Sequence, residues 1–170
     1  MMTGPETLLL REIQSAFRRQ KDQVERALAQ LPGERWATRL GDPGGDGNSV
    51  SVLLRHLAGN LRSRWMAPFE GDGERPDRDR DAEFEDRDAE PEAVRRAWDD
   101  AWAVALRTID ALGPSDLERT ITIRGEPLTV ARALVRSLDH TGHHVGQIVM
   151  LAKHLCGPDW ATLSIARRRG

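Results

Sequence analysis

Two histidines four residues apart, His140 and His144, lie in the run DHTGHHVGQIVMLAKHL. At 3.6 residues per helical turn that spacing puts both imidazoles on one face, where they can grip a single metal ion. Four of the five histidines (His140, His143, His144, His154) crowd into this segment, and the fifth, His56, falls on a separate predicted helix. Imidazole suits zinc, nickel and ferrous iron alike, so the residue types imply a divalent metal without selecting one. Three imidazoles from two helices would leave a coordination position for water or substrate, the arrangement of a catalytic rather than a closed structural site. The competing reading is ordinary: an i, i+4 pair arises by chance in a His-rich helix, and half-buried histidines commonly have only hydrogen-bond partners.

The elements that must position these side chains follow from apolar periodicity. Helical spacing predicts four helices: Pro5 to Leu31, about Asn48 or Ser49 to Pro68, Pro91 to Leu112, and Pro127 or Thr129 to Leu155. The first carries Leu9, Ile13, Phe17, Val24, Leu28 and Leu31, and stops at Pro32-Gly33. The second follows the Gly-rich stretch 41–47 and carries Val50, Leu54, Leu57, Leu61 and Trp65. On the fourth, Val130, Leu134, Leu138, Thr141, Val145, Ile148, Ala152 and Leu155 form the inward stripe. His140 and His144 fall at one border of that stripe, whereas His143 and His154 lie outside it. His56 falls on the flank of the second helix, the side from which a third ligand could come. The segment ERTITIRGEPLTV reads as a short extended stretch turning at Gly125, too short for a sheet. Four amphipathic helices with long connections make an all-α four-helix bundle, with residues 1–170 as one domain.

Composition narrows the function classes. The chain of 170 residues has 25 Lys+Arg against 27 Asp+Glu and a net charge of −2. Cations and acids are interleaved, which argues against nucleic acid or a membrane surface as partner. Arg167, Arg168 and Arg169 form the one basic cluster and read as a solvated tail. Cys156 stands alone, so neither a disulfide framework nor a cysteine zinc site is expected, and it reads as a small core residue. No signal peptide or run of 18 apolar residues is evident, and a cytoplasmic setting follows as the default. The five tryptophans (Trp36, Trp65, Trp98, Trp102, Trp160) read as core or interface, with Trp65 placed to line a cleft beside His56.

The histidine on LLRHLAGNLRSRW, together with H-x-x-x-H-x-G-Q (His140, His144, Gly146, Gln147), resembles the DinB/YfiT-like superfamily. With DGERPDRDRDAEFE, LERTITIRGEPLTV, HVGQIVMLAKHL and DWATLSIARRRG in this order, the resemblance covers nearly the whole chain and points to a bacterial branch of unknown function. It implies a four-helix bundle of up-down-down-up type, often a homodimer, with one divalent metal (Zn, Ni or Fe) held by His56, His140 and His144. It also implies chemistry of thiol-dependent S-transferases and isomerases that use bacillithiol or mycothiol, low-molecular-weight thiols.

With that resemblance, the leading expectation is a metal-dependent thiol S-transferase acting on a small-molecule substrate, with no catalytic residue assigned. Asn60 and Arg64, one and two turns beyond His56, and Gln147 beside His144 are candidates to orient the ligand imidazoles. Asp139 points away from the site. Arg75, Arg78 and Arg80 on the charged loop of about residues 70–90 could receive an anionic substrate, with Phe84 fixing the loop against the bundle. A metal-dependent hydrolase is an alternative that needs a carboxylate base, and Glu83, Glu85 or Asp86 could fold in to supply one. A non-catalytic metal-binding, stress-related dimer is the other alternative.

Overall fold

A computed structural model of the protein describes residues 4–40, 47–85 and 90–165. Asp86, Arg167, Arg168, Arg169 and residues 41–46 of the Gly-rich stretch lie outside them. Four helices dominate: α1 (Pro5–Leu28), α2 (Val50–Trp65), α3 (Pro91–Ala111) and α4 (Val130–Cys156). α1 packs on α4 and α3, and α2 packs on α3 and α4, so all four surround one core. Phe17, Leu54, Leu57, Trp98, Trp102, Ile109, Leu134 and Ile148 are fully buried there. Among the described residues no helix is long and apolar enough to cross a membrane.

The ends of the helices have local causes. Pro5 begins α1, where a missing N–H costs nothing. α1 stops at Leu28 rather than Leu31, because the residue before Pro32 is driven out of helical geometry. The chain tightens instead, with Gln30 N–H donating to the Ala27 carbonyl and Leu31 N–H to that of Leu28, both at 3.2 Å, and Leu31 stays buried. On the same helix Leu10, not Leu9, faces the core: Leu9 is exposed, one 100° step away from the line Leu10, Ile13, Phe17. Ser49 caps α2 by accepting from Val52 N–H at 3.2 Å, and Thr129 caps α4 by accepting from Arg132 N–H at 3.2 Å.

Two regions between the helices differ from the sequence reading. Residues expected to be too short for a sheet pair as an antiparallel hairpin, β1 (Thr120–Ile123) and β2 (Glu126–Thr129), in the register Thr120 to Thr129 and Ile123 to Glu126. The pairing holds because Arg124 and Gly125 both take positive φ (56° and 74°), the backbone that lets a two-residue turn match strand twist. Arginine rarely adopts that region, and Asp72 compensates by accepting from Arg124 N–H at 2.7 Å and Gly125 N–H at 2.6 Å.

The second is the charged segment after α2. It does not stand off in solvent, but lies over the flank of α2 and the hairpin. Gly73 N–H donates to the Thr122 carbonyl at 2.8 Å, and Arg55 donates to the carbonyls of Ala82 and Glu85. This cover explains why α2 is buried on nearly every side, including its polar His56, Ser63 and Arg64.

Candidate metal centre

His140 and His144 project from the border of the α4 stripe, half-buried, toward the flank of α2. His56 meets them from α2 and is buried. One ligand atom from each of His56, His140 and His144 lies within 4.8 Å of the other two, a grouping able to hold a metal ion. The His56 and His140 Nε2 atoms approach to 3.2 Å. The rings stand edge to face, with centroids 4.7 to 5.2 Å apart. His143 and His154 are exposed, as the helical wheel predicts.

Each outer nitrogen has a distinct environment. His56 Nδ1 donates to Glu83 Oε2 at 2.9 Å, so Nε2 is the atom turned toward the other imidazoles. Glu83 is itself held by Arg78, whose Nε and Nη2 donate to its two oxygens at 2.7 and 2.8 Å. Burial alone would raise the Glu83 pKa, yet the bonds from Arg78 and His56 outweigh it and keep the carboxyl below its ordinary range. His144 Nδ1 donates to Gln147 Oε1 at 2.7 Å, and the Gln147 amide nitrogen reaches His143 Nε2 at 3.3 Å. His140 Nδ1 is buried without a hydrogen-bond partner among the described residues.

Burial is the main cause of a fall in the His140 pKa to about 4, and the neighbouring imidazoles His144 and His56 add to it. Burial likewise lowers His144, although Gln147 opposes that shift. Both shifts favour the neutral imidazole, the form that offers a lone pair to a metal. The residues fit a cation well. Two ring nitrogens face each other at 3.2 Å, and outer acceptors on His56 and His144 fix which nitrogen points inward.

A glycine makes the Glu83 contact sterically feasible. A Cβ on Gly59, one turn beyond His56 on α2, would lie 2.0 Å from Glu83 Oε1 and 2.8 Å from its Cδ. Helix interiors disfavour glycine by up to about 1 kcal/mol relative to alanine. Here the missing side chain is the space the carboxylate occupies.

The histidines open onto a cavity of about 300 Å³. α2 and α4 form its sides, the hairpin contributes Ile121, Ile123 and Arg124, and the charged segment contributes Arg78, Arg80 and Phe84. Phe84 packs on His56 with centroids 4.7 Å apart, so it fixes the segment to the bundle through the histidine itself. Trp65 lines the cavity and donates from Nε1 to Ser137 Oγ at 3.1 Å.

Gln147 touches His144 directly. Asn60 lines the cavity. Arg64 also lines it, but its guanidinium donates to the Gly73 carbonyl and to Glu74 Oε2 at 2.9 Å, holding the loop rather than an imidazole. Arg78, expected to receive a substrate anion, is committed to Glu83 and Glu74, and Arg75 turns to Asp77. Arg80 lines the cavity and stacks on Phe84. Glu83 folds in, as one reading required, but lies behind His56 rather than free as a base. Cys156 is half-buried and donates to the Gln30 carbonyl, away from the site.

Compared with known families, residues 6–169 match one described as "Protein of unknown function (DUF1572)". The chain belongs to this family. No curated protein matches the chain at a significant level. The family's description names no activity, so the case for chemistry rests on the histidine cluster and what surrounds it. Sequence reasoning missed two residues of this region. Gly59 was readable as a glycine inside a helical pattern, a signal for a close approach. Arg136 was readable as the residue four before His140 on the same helical face.

Proposed function

We propose that the protein binds one divalent metal ion through His56, His140 and His144 and acts as a metal-dependent S-transferase on a small electrophile. The observation that carries this reading is the convergence of three imidazoles on an open cavity, with two of their outer nitrogens oriented by Glu83 and Gln147. A divalent ion at this site would supply Lewis acidity, lowering the pKa of a thiol or water in the remaining position.

The chain's own residues do the rest. The carboxylate of Glu83 keeps His56 in the Nδ1–H tautomer and holds its ring orientation, and outer-shell partners of this kind sustain metal affinity. Gln147 does the same for His144. Trp65, Ile121 and Ile123 give the cavity an apolar, water-excluding wall. The resemblance to the DinB/YfiT-like superfamily favours a low-molecular-weight thiol such as bacillithiol or mycothiol as co-substrate, and a homodimer as the working unit. A hydrolase is less well supported, because the nearby carboxylate Glu83 is already engaged by His56 and Arg78.

The test is turnover of monochlorobimane by zinc- or nickel-loaded protein with bacillithiol or mycothiol. Thiol-dependent turnover that disappears in His144→Ala is the expected result. Metal-loaded protein that stays inactive with every thiol would leave a binding protein and refute the transferase.

A further inference from the structure

The cavity beside the histidines has an unusual charge. Five arginines line it (Arg64, Arg78, Arg80, Arg124 and Arg136), and no aspartate or glutamate does. The carboxylates that pair with them are not part of the lining. Glu74 takes Arg64 at 2.9 Å, Arg124 at 2.6 Å and Arg78 at 3.3 Å. Glu83 takes Arg78 at 2.7 Å, and Asp81 stands 3.6 Å from Arg80. Three carboxylates thus serve four guanidiniums.

Arg136 is the fifth. Its side chain has no ion pair or hydrogen bond among the described residues; the same holds for Arg11, Arg107 and Arg132, but of these four only Arg136 lines the cavity. It stands on α4 one turn before His140, on the helical face that carries the histidines. Between the cations the cavity wall is apolar, with Trp65, Ile121, Ile123 and Ala133.

We infer that this cavity binds a small organic anion, a carboxylate or phosphate monoester, with its charge on Arg136 and an apolar segment against Trp65, Ile121 and Ile123. An anion there neutralises the surplus cation and makes a bidentate pair with the guanidinium, while the apolar body covers the hydrophobic wall. Arg136, His140 and His144 line the same cavity, so the inference names the substrate class of the site proposed above and rests on that reading for its role. The binding itself does not need the metal. The anion-receiving cation therefore shifts from the loop arginines Arg75, Arg78 and Arg80 to the helix arginine Arg136.

The test is calorimetric titration of metal-free protein with hexanoate, hexyl phosphate and, as a neutral analogue, hexanol. One of the two anions should bind, hexanol should bind at least about tenfold more weakly, and Arg136→Gln should weaken the anion by roughly tenfold or more. Arg136→Lys should recover part of the loss, whereas Arg132→Gln, one turn earlier on α4, should leave affinity unchanged. Preference for hexanoate identifies a carboxylate ligand, and preference for hexyl phosphate a phosphate monoester.

The inference is overturned if neither anion binds, if hexanol binds as tightly, if Arg136→Gln has no effect, or if Arg132→Gln loses as much. Zinc content after loading the same preparations reports separately on the metal reading: it should be equal in wild type and Arg136→Gln. Anion binding with no zinc uptake in either would remove the metal and leave the anion site standing.

Discussion

Gly59→Ala is the sharpest test of how the histidine cluster is supported. In an ordinary helix interior this change stabilises a protein by roughly 0.5–1 kcal/mol, because alanine loses less backbone entropy on folding. Here the new methyl group would sit 2.0 Å from Glu83 Oε1 and must expel the carboxylate. Expulsion breaks the bonds from Arg78 at 2.7 and 2.8 Å and from His56 at 2.9 Å. Arg78 and Glu83 have only 4% and 9% of their side chains exposed, so little solvent screening softens the loss. Breaking a buried pair costs about 3–5 kcal/mol, and subtracting the helix gain leaves a net loss of about 2–4 kcal/mol. For a chain of this length that is a fall of about 5–15 °C in Tm.

Urea or thermal denaturation of metal-free protein measures it, within a double-mutant cycle against Glu83→Ala. With Glu83 already removed, the same Gly59→Ala change should be neutral or stabilising. A gain of about 1 kcal/mol in the wild-type background would refute the packing of Glu83 against α2, and with it the orientation of His56.

Further outcomes follow from the same contacts. Glu83→Gln should retain the fold but lower zinc affinity by about 10- to 100-fold, measured by competition with a chromogenic chelator; unchanged affinity would deny Glu83 its part in orienting His56. Glu74 is held down to about 2: burial opposes ionisation, but hydrogen bonds from Arg64 and Arg124 prevail. Its folded pKa lies below the unfolded value of 4.5, so the stabilisation is present above pH 4.5 and is lost as pH falls toward 2. That amounts to up to roughly 3 kcal/mol, and Glu74→Gln should flatten this part of the stability–pH curve. Asp72→Ala removes the acceptor for the Arg124 and Gly125 N–H groups and should speed proteolytic cleavage within residues 66–85, followed by mass spectrometry.

The helices and the histidine pair were legible because both depend on a 3.6-residue period. The α4 wheel separates His140 and His144 from His143 and His154, and burial follows the same division. Leu9 against Leu10 marks the precision of such a wheel near a helix start, where few turns fix its phase. The covering segment was not legible, since nothing in a mixed-charge run says which of its carboxylates will fold in. Glu83 is selected by a long-range fit: a gap at Gly59, a donor on His56 and a counter-ion in Arg78. Arg136 was overlooked for a related reason. Its place on the face of His140 is visible in the sequence, but that it lacks a partner among the described residues shows only once the partners of Arg64, Arg78 and Arg124 are known.

Metal content tests the three-histidine site most directly. Elemental analysis of purified, zinc-loaded protein should find about one ion per chain, most of it lost in His144→Ala and nearly all retained in His143→Ala. Circular dichroism should show both variants folded. Equal metal in wild type and in a His56→Ala, His140→Ala, His144→Ala triple variant would contradict the three-histidine site.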